Sequence, residues 1–551
     1  MTKLIPAEVA LSIPMEMRQA TKWPPRGDHC RLEPVALPVL FPKFLISKSD
    51  RVFTIGSCFA RNIEEYLGVL GFDVPTLKFT APAGEVVGRP SGILNKYTPA
   101  SMLQEIERTI RLDTAPERDR HKILSECLID GGDGSVLDLE LSSLTYVSAE
   151  RALERRQQVH RLFRELYECD LVILTLGLVE SWWDDQTKLY IQRAPMPPLV
   201  KRYPGRFFFK RMDFEETAAC SRQIVAKLNG MGRKKRVLVT TSPVPMGRTF
   251  AKEDVLVANT YSKSLLRVVS QILKDENENV DYYPSFETVV MSKSTDVWEN
   301  DLIHVTDRFV GRVVNRMIEA YYPDFSNIDP ASQAWSEIFA RDFKSALATI
   351  KQVATPDATL KLLHGLALIG RGDREDGRRM LRDNCLHATL DNRQAGHVAA
   401  ALHSAADLEP CLQFLRAFLA RVQFDDHSTA AMHARMALIL AEQGDRAGAL
   451  LEGRVAIQAR EAPAVLVMVG EACYRLGEDD LARDHLQKAL AKLSMAPAHA
   501  AVRGNAYACL ALVECRAGNT AAALGGLQRA KLDAPKAKLT LAAEAAMRPA
   551  K

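Results

Sequence analysis

A serine and a cysteine stand side by side in RVFTIGSCFARNIEEYLGVLGF, as Ser57-Cys58. The run Arg51 to Ile55 before them reads as a short buried strand, and Ala60 to Leu70 after them reads as a helix, with Ile63, Tyr66, Leu67 and Leu70 on one face. Only a tight turn at Gly56-Ser57-Cys58 separates the two. A small nucleophilic side chain on such a turn projects from the sheet edge, where the helix N-terminus favours a developing negative charge and lowers the pKa of a thiol. The plain alternative is that Gly-Ser makes the turn and Cys58 packs as a small hydrophobe. Late in the same region stands Asp301-Leu302-Ile303-His304. That spacing lets the carboxylate reach its own histidine, fix the imidazole tautomer and leave the other nitrogen to act as base.

A nucleophile on a strand turn, a late D-x-x-H, and alternating strands and helices between them make an order that resembles the SGNH (GDSL-like) hydrolase superfamily. The segments FTIGSCFARN, SPVP and DLIH resemble its GSCFA branch, named after that pentapeptide, over roughly residues 45–325. The superfamily motif Gly-Asp-Ser, laid on this chain, puts Gly56 at the glycine, Ser57 at the aspartate and Cys58 at the nucleophile. Ser57 is the alternative nucleophile, since a serine works with the same base. His304 is the implied base and Asp301 its orienter. Arg61-Asn62 looks like the Arg-Asn that trails this motif in plant cell-wall O-acetyltransferase relatives.

A third superfamily block, Gly-x-Asn-Asp, supplies an asparagine to the oxyanion. In register stands Gly177-Leu178-Val179-Glu180, and Val179 has no side-chain donor. A missing oxyanion donor is worth about 3–4 kcal/mol of transition-state stabilisation. Backbone N–H groups at Cys58 and Gly177, and the side chain of Asn95, are candidates to replace it. Glu180 would orient a substrate hydroxyl or an arginine, or else sit as an acid at a helix N-terminus. Trp182, followed by Trp183, would stack on a sugar ring or fill a core. Asn259, Lys263 and Arg267 resemble the family's Asn…Ser-Lys…Leu-Arg helix, without an evident mechanism.

The elements that must position these residues are the strands Val52–Ile55, Leu171–Leu176 and Arg236–Thr241, and helices that include Arg151–Glu168 and Ala258–Lys274. LVILTL is apolar on both faces, as in a parallel strand covered on each side. The expectation is an α/β fold with a doubly wound parallel sheet over residues 46–328, preceded by a Pro-rich, partly ordered arm over 1–45. From about 329 to 551 strand signals vanish and a repeat emerges. Gly444, Gly477 and Gly518 are each followed five residues later by Ala449, Ala482 and Ala523, and Pro463, Pro497 and Pro535 close the units. A weaker unit carries Gly372 and Gly377. This is the pattern of tetratricopeptide-like helical hairpins, an all-α C-terminal domain suited to a protein partner.

A net charge of +4 over 551 residues argues against a general nucleic-acid binder. Apolar runs fall short of the ~18 residues a bilayer span needs. The N-terminus lacks a signal peptide's apolar core, so the expected compartment is cytoplasmic. The ten cysteines are scattered without C-x-x-C pairs, as reduced thiols are, and neither metal nor cofactor is implied. These readings converge on hydrolysis or transfer of a small acyl group on an oxygen ester, with a carbohydrate or glycoconjugate as the carrier. The competing reading is a catalytically idle recognition module with a repeat scaffold.

Overall fold

LVILTL, Leu171–Leu176, is buried at every position. It lies inside a four-stranded parallel sheet, between Val52–Gly56 on one side and Arg236–Thr241 on the other, with Val280–Tyr282 at the far edge. The register pairs Gly56 with Thr175 and Leu176 with Thr241, so the carboxyl ends of the three longer strands finish together. On the outer side of Val52–Gly56 a single parallel bridge joins Arg51 to Asp73. The Cys58–Val69 helix packs on the first two strands and Val255–Glu276 on the last two.

The computed structural model describes residues 4–27, 30–82, 85, 90–142, 145–299, 301–324, 328–421, 426–493 and 500–547. The chain divides into two compact units, Met1–Thr80 with Ser91–Ser332, and Ala81–Pro90 with Gln333–Lys551. In the first unit two small antiparallel sheets accompany the parallel one, of which sequence periodicity gives no warning. One joins Leu128–Asp130, Ser135–Asp138 and Val147–Ser148; the other places Glu180–Asp184 between Leu189–Ile191 and Phe207–Arg211. In the Pro-rich arm, Ala7–Met17 forms a helix with no buried residue. No helix among the described residues is long and apolar enough to cross a membrane.

The second unit is a succession of helical hairpins. Gly444, Gly477 and Gly518 turn the chain between paired helices at φ of 81°, 79° and 77°, a conformation that costs glycine nothing and other residues much. Asp426–Glu442 packs on Pro463–Arg475, which packs on Ala500–Arg516, so hairpin stacks on hairpin. Ala449, Ala482 and Ala523 are buried at 2%, 0% and 1% exposure. In the weaker unit Gly377 allows a close crossing, since a Cβ there would lie 2.7 Å from the Gly365 carbonyl oxygen. Pro497 lies outside the described residues.

A helix pair this closely packed has no room for a larger side chain at the crossing. Ala482→Leu should therefore destabilise the repeat unit by about 1–3 kcal/mol. Urea unfolding of the full chain, followed by circular dichroism, measures it; an unchanged midpoint would show that Ala482 is not at a tight contact.

Candidate active site at the carboxyl end of the parallel sheet

The helix after the first strand begins at Cys58 itself, two residues earlier than its periodicity predicts. Gly56 permits this turn. A Cβ at Gly56 would lie 2.6 Å from the Thr175 Cβ, 2.8 Å from the Thr175 carbonyl oxygen and 3.0 Å from the Ala60 Cβ, so glycine alone fits. Ser57 is the N-cap residue, and its carbonyl accepts from Ala60 N at 2.9 Å. Its hydroxyl does not cap the helix. It is buried and donates to Ser242 Oγ at 3.2 Å, at the end of the Arg236–Thr241 strand. Cys58, the first helical residue, is half-buried. Ser57 and Cys58 are thus in different surroundings, one sealed against the sheet and one partly open at a helix N-terminus.

Arg61 lies one turn along the helix, buried, with its guanidinium on the Thr54 carbonyl at 3.2 Å and on Glu64 at 2.7 Å. Burial pushes the Glu64 carboxyl up, and Arg61 with the Thr54 and Thr76 hydroxyls pulls against it. This pair is an internal brace for the first strand.

The segment 95–98 crosses the ends of two neighbouring strands, Val52–Gly56 and Leu171–Leu176. Lys96 N donates to the Gly56 carbonyl at 2.8 Å, while the Tyr97 carbonyl accepts from Gly177 N at 3.1 Å and from Leu178 N at 2.8 Å. A Cβ at Gly177 would meet that Tyr97 oxygen at 2.8 Å. The Gly177 N–H, expected as an oxyanion donor, is therefore committed to backbone and unsuited to the role. Asn95 is buried, and its amide oxygen has no partner among the described residues. Burial raises the Tyr97 phenol, and a charge on Cys58 raises it further, so Tyr97 is neutral at physiological pH. Val179 is fully buried, with its N–H on Ser262 Oγ at 3.1 Å.

Glu180 opens a strand rather than a helix. Its carboxylate accepts from Thr249 Oγ1 at 2.6 Å and Phe250 N at 3.2 Å, which clamps the loop SPVPMGRTF and replaces the expected substrate contact. Trp182 meets Phe209 and Phe250 edge-on and packs against Ile129, Leu137 and Ile191. Trp183 meets Tyr190 and donates to Asp185 at 3.2 Å. Both tryptophans are engaged in packing, which removes the expected stacking platform for a sugar.

At the other end of the region Asp301 accepts from Ile303 N at 2.9 Å, His304 N at 3.0 Å and His304 Nδ1 at 2.6 Å. The turn needs Leu302 at φ 56°, a left-handed conformation that is strained for leucine. Burial works to raise the Asp301 carboxyl, but the His304 and Ile303 hydrogen bonds outweigh it and hold it below its usual range. An ionised Asp301 keeps the proton on Nδ1 and leaves Nε2 as the basic nitrogen of a ring that is 41% exposed. The Tyr66 hydroxyl donates to the Asp307 carbonyl at 2.9 Å, tying the chain just past His304 to the helix that starts at Cys58.

Residues 51–317, from the first core strand to the helix after His304, match the GSCFA family. No curated protein matches the chain. Among solved structures, one reported as a functional characterisation of Pseudomonas aeruginosa pilF aligns at 10% identity and a TM-score of 0.30, covering 39% of this chain and 95% of that one. MamA AMB-1 aligns at 17% and 0.24, covering 40% and 97%. The APC/C hetero-tetramer Cut9-Hcn1 aligns at 11% and 0.31, covering 54% and 64%. At such scores the repeat architecture rests on this chain's own hairpins.

The matched region contains one buried lysine whose place the sequence conceals. Lys263 is buried in the Val255–Glu276 helix, and its amine donates to the Gly177 carbonyl at 2.7 Å. Its neighbours in the Asn259, Lys263, Arg267 series do other work: Asn259 holds Met246 N at 3.1 Å, and Arg267 pairs with Glu287 at 2.6 Å. The available signal was a lysine set three residues before Leu266 on the helix's apolar stripe.

Because the folded Asp301 titrates below its unfolded value, its stabilising contribution is present above the ordinary carboxylate range, near pH 4, and is lost as the pH falls through the folded value. Asp301→Asn should lower the melting temperature at pH 7, and the gap to wild type should close at acid pH. Melting curves from pH 3 to 7 test this; a pH-independent gap would assign the loss to shape alone.

Proposed function

We propose that the GSCFA region hydrolyses or transfers a small acyl group on an oxygen ester, with Cys58 as nucleophile, His304 as base and Asp301 as its orienter. One observation carries this reading: Asp301 fixes the His304 tautomer at 2.6 Å while the ring stays partly open to solvent. The sealed hydroxyl of Ser57 and the half-buried Cys58 favour the cysteine of the pair. The bridge between Arg51 and Asp73 supports a doubly wound, SGNH-like sheet, because counting it gives strand order 2-1-3-4-5.

In this mechanism the Cys58 thiolate attacks the ester carbonyl and a C–S bond forms. The C–O bond breaks, and His304 delivers a proton to the departing alcohol. Water or an acceptor hydroxyl then loses its proton to His304, attacks the thioester and releases the thiolate. The developing oxyanion would sit at the N-terminus of the Cys58–Val69 helix, in place of the absent asparagine donor. A carbohydrate or glycoconjugate carrier follows from the family resemblance alone.

A second reading is favoured by Val179, a core side chain where a donor is expected: an idle recognition module beside repeats that hold a protein partner. The repeats offer a cleft of about 640 Å³ whose lining includes Lys351, Lys361, His364, Arg371 and Arg379 beside Asp376 and Asp383, a balance suited to an acidic segment.

Hydrolysis of p-nitrophenyl acetate by the full chain separates the two. Cys58→Ala should reduce kcat/KM and His304→Ala should reduce kcat, each by about 100-fold or more, and Ser57→Ala should cost only a few fold. Retained turnover in Cys58→Ala with loss in Ser57→Ala would move the nucleophile to Ser57. Wild-type turnover at the level of buffer would favour the recognition module.

A further inference from the structure

Four buried cations of the first unit are paired with carboxylates. Arg61 has Glu64, Lys96 has Glu105, Arg108 has Glu140 and Arg156 has Asp138. Lys235, which lacks a carboxylate, donates to the Met231 and Arg233 carbonyls. Lys263 differs. It is 1% exposed, donates to the single carbonyl of Gly177, and has no carboxylate within ion-pair distance among the described residues. An ammonium without a counter-charge in such a place is costly, so a buried lysine either gives up its proton or keeps an anion beside it.

The groups around it leave one candidate for that anion. Cys58 starts its helix two residues past Gly56, Gly56 pairs with Thr175, and Gly177 follows two residues later, so Cys58 and the Lys263 amine stand at the same carboxyl edge of the sheet; a charge on Cys58 raises that amine. Tyr97, which also feels Cys58, is held neutral by burial. The cations that reach Tyr97 are occupied elsewhere, Arg61 with Glu64 and Arg193 with the Ser142 carbonyl at 3.0 Å.

We propose that Lys263 is a positioning residue for Cys58: its buried ammonium is the counter-charge that holds the cysteine as thiolate at neutral pH. This inference rests on the reading of Cys58 as nucleophile. Burial lowers the Lys263 amine to about 7 even against the upward pull of a charged Cys58, and each group's ionisation favours the other's. The proton of the thiol leaves to His304 or to solvent, and the ammonium remains. The Gly177 carbonyl, itself fixed through Tyr97, aims the amine.

The test is the pH profile of iodoacetamide labelling in the full-length protein, with each modified cysteine located by mass spectrometry. In wild type, Cys58 should label ahead of the other nine cysteines, and its rate should level off near neutral pH. Lys263→Met should move the rise to higher pH and slow labelling at pH 7 about tenfold or more. Lys263→Arg, which keeps the charge, should restore the low-pH rise. If Lys263→Met does not melt cooperatively, Lys263→Gln takes its place with the same expectation. A fast Cys58 with the wild-type profile in the neutral variants overturns the role of Lys263 and leaves the nucleophile standing. A wild-type Cys58 no faster than the other thiols overturns the nucleophile, and the counter-charge with it.

Discussion

The carbonyl oxygen of Tyr97 is the point on which the site depends. It accepts two backbone hydrogen bonds, from Gly177 and Leu178, while the preceding residue donates its N–H to the Gly56 carbonyl. One short segment therefore closes the carboxyl ends of two neighbouring strands, Val52–Gly56 and Leu171–Leu176. Its own position is secured from below, where the Lys96 ammonium enters a buried cluster, bonded to Glu105 at 2.7 Å and to the Glu140 carbonyl at 3.0 Å. Burial opposes the charge on Glu105, but Lys96, Arg156 and Arg108 hold it far below the usual carboxylate range. Removing one partner from such a cluster leaves an uncompensated buried charge, a loss of about 3–5 kcal/mol. The segment thus resists displacement.

From this closure the roles of neighbouring atoms separate. Gly56 brings Thr175 so close that the chain must turn at Ser57, which directs the serine hydroxyl inward to Ser242 and starts a helix at Cys58. Gly177, its N–H taken by Tyr97, turns its carbonyl to Lys263. The segment Gly177–Glu180 is thereby committed to structure. Val179 goes into the core, Glu180 holds the loop at Thr249 and Phe250, and a buried cation lies beside the glycine.

Much of this was legible in the residues. LVILTL announces a doubly covered strand because both faces are apolar, and D-x-x-H announces its own hydrogen bond because three residues of backbone suffice to close it. The glycine and alanine pattern of the repeats is legible for the same reason, a local geometry with a local signature. What stayed hidden depends on distant pairings. Glu180–Asp184 becomes a strand through Phe207–Arg211, more than twenty residues away, and that pairing turns Trp182 toward packing. The commitment of the Gly177 N–H is a backbone bond that leaves no trace in side-chain types. Lys263 sits among apolar positions, but only the folded chain shows that its amine bonds the Gly177 carbonyl.

The central claim is that Cys58, set at the helix N-terminus by this closure, carries an acyl group during turnover. His304→Ala should load normally and discharge slowly, so a brief exposure to p-nitrophenyl acetate should trap the intermediate. One acetyl group is expected on the peptide containing Ser57 and Cys58, removed by neutral hydroxylamine as a thioester is. An adduct on Ser57 that resists hydroxylamine, or acetyl spread over the other cysteines, would contradict it.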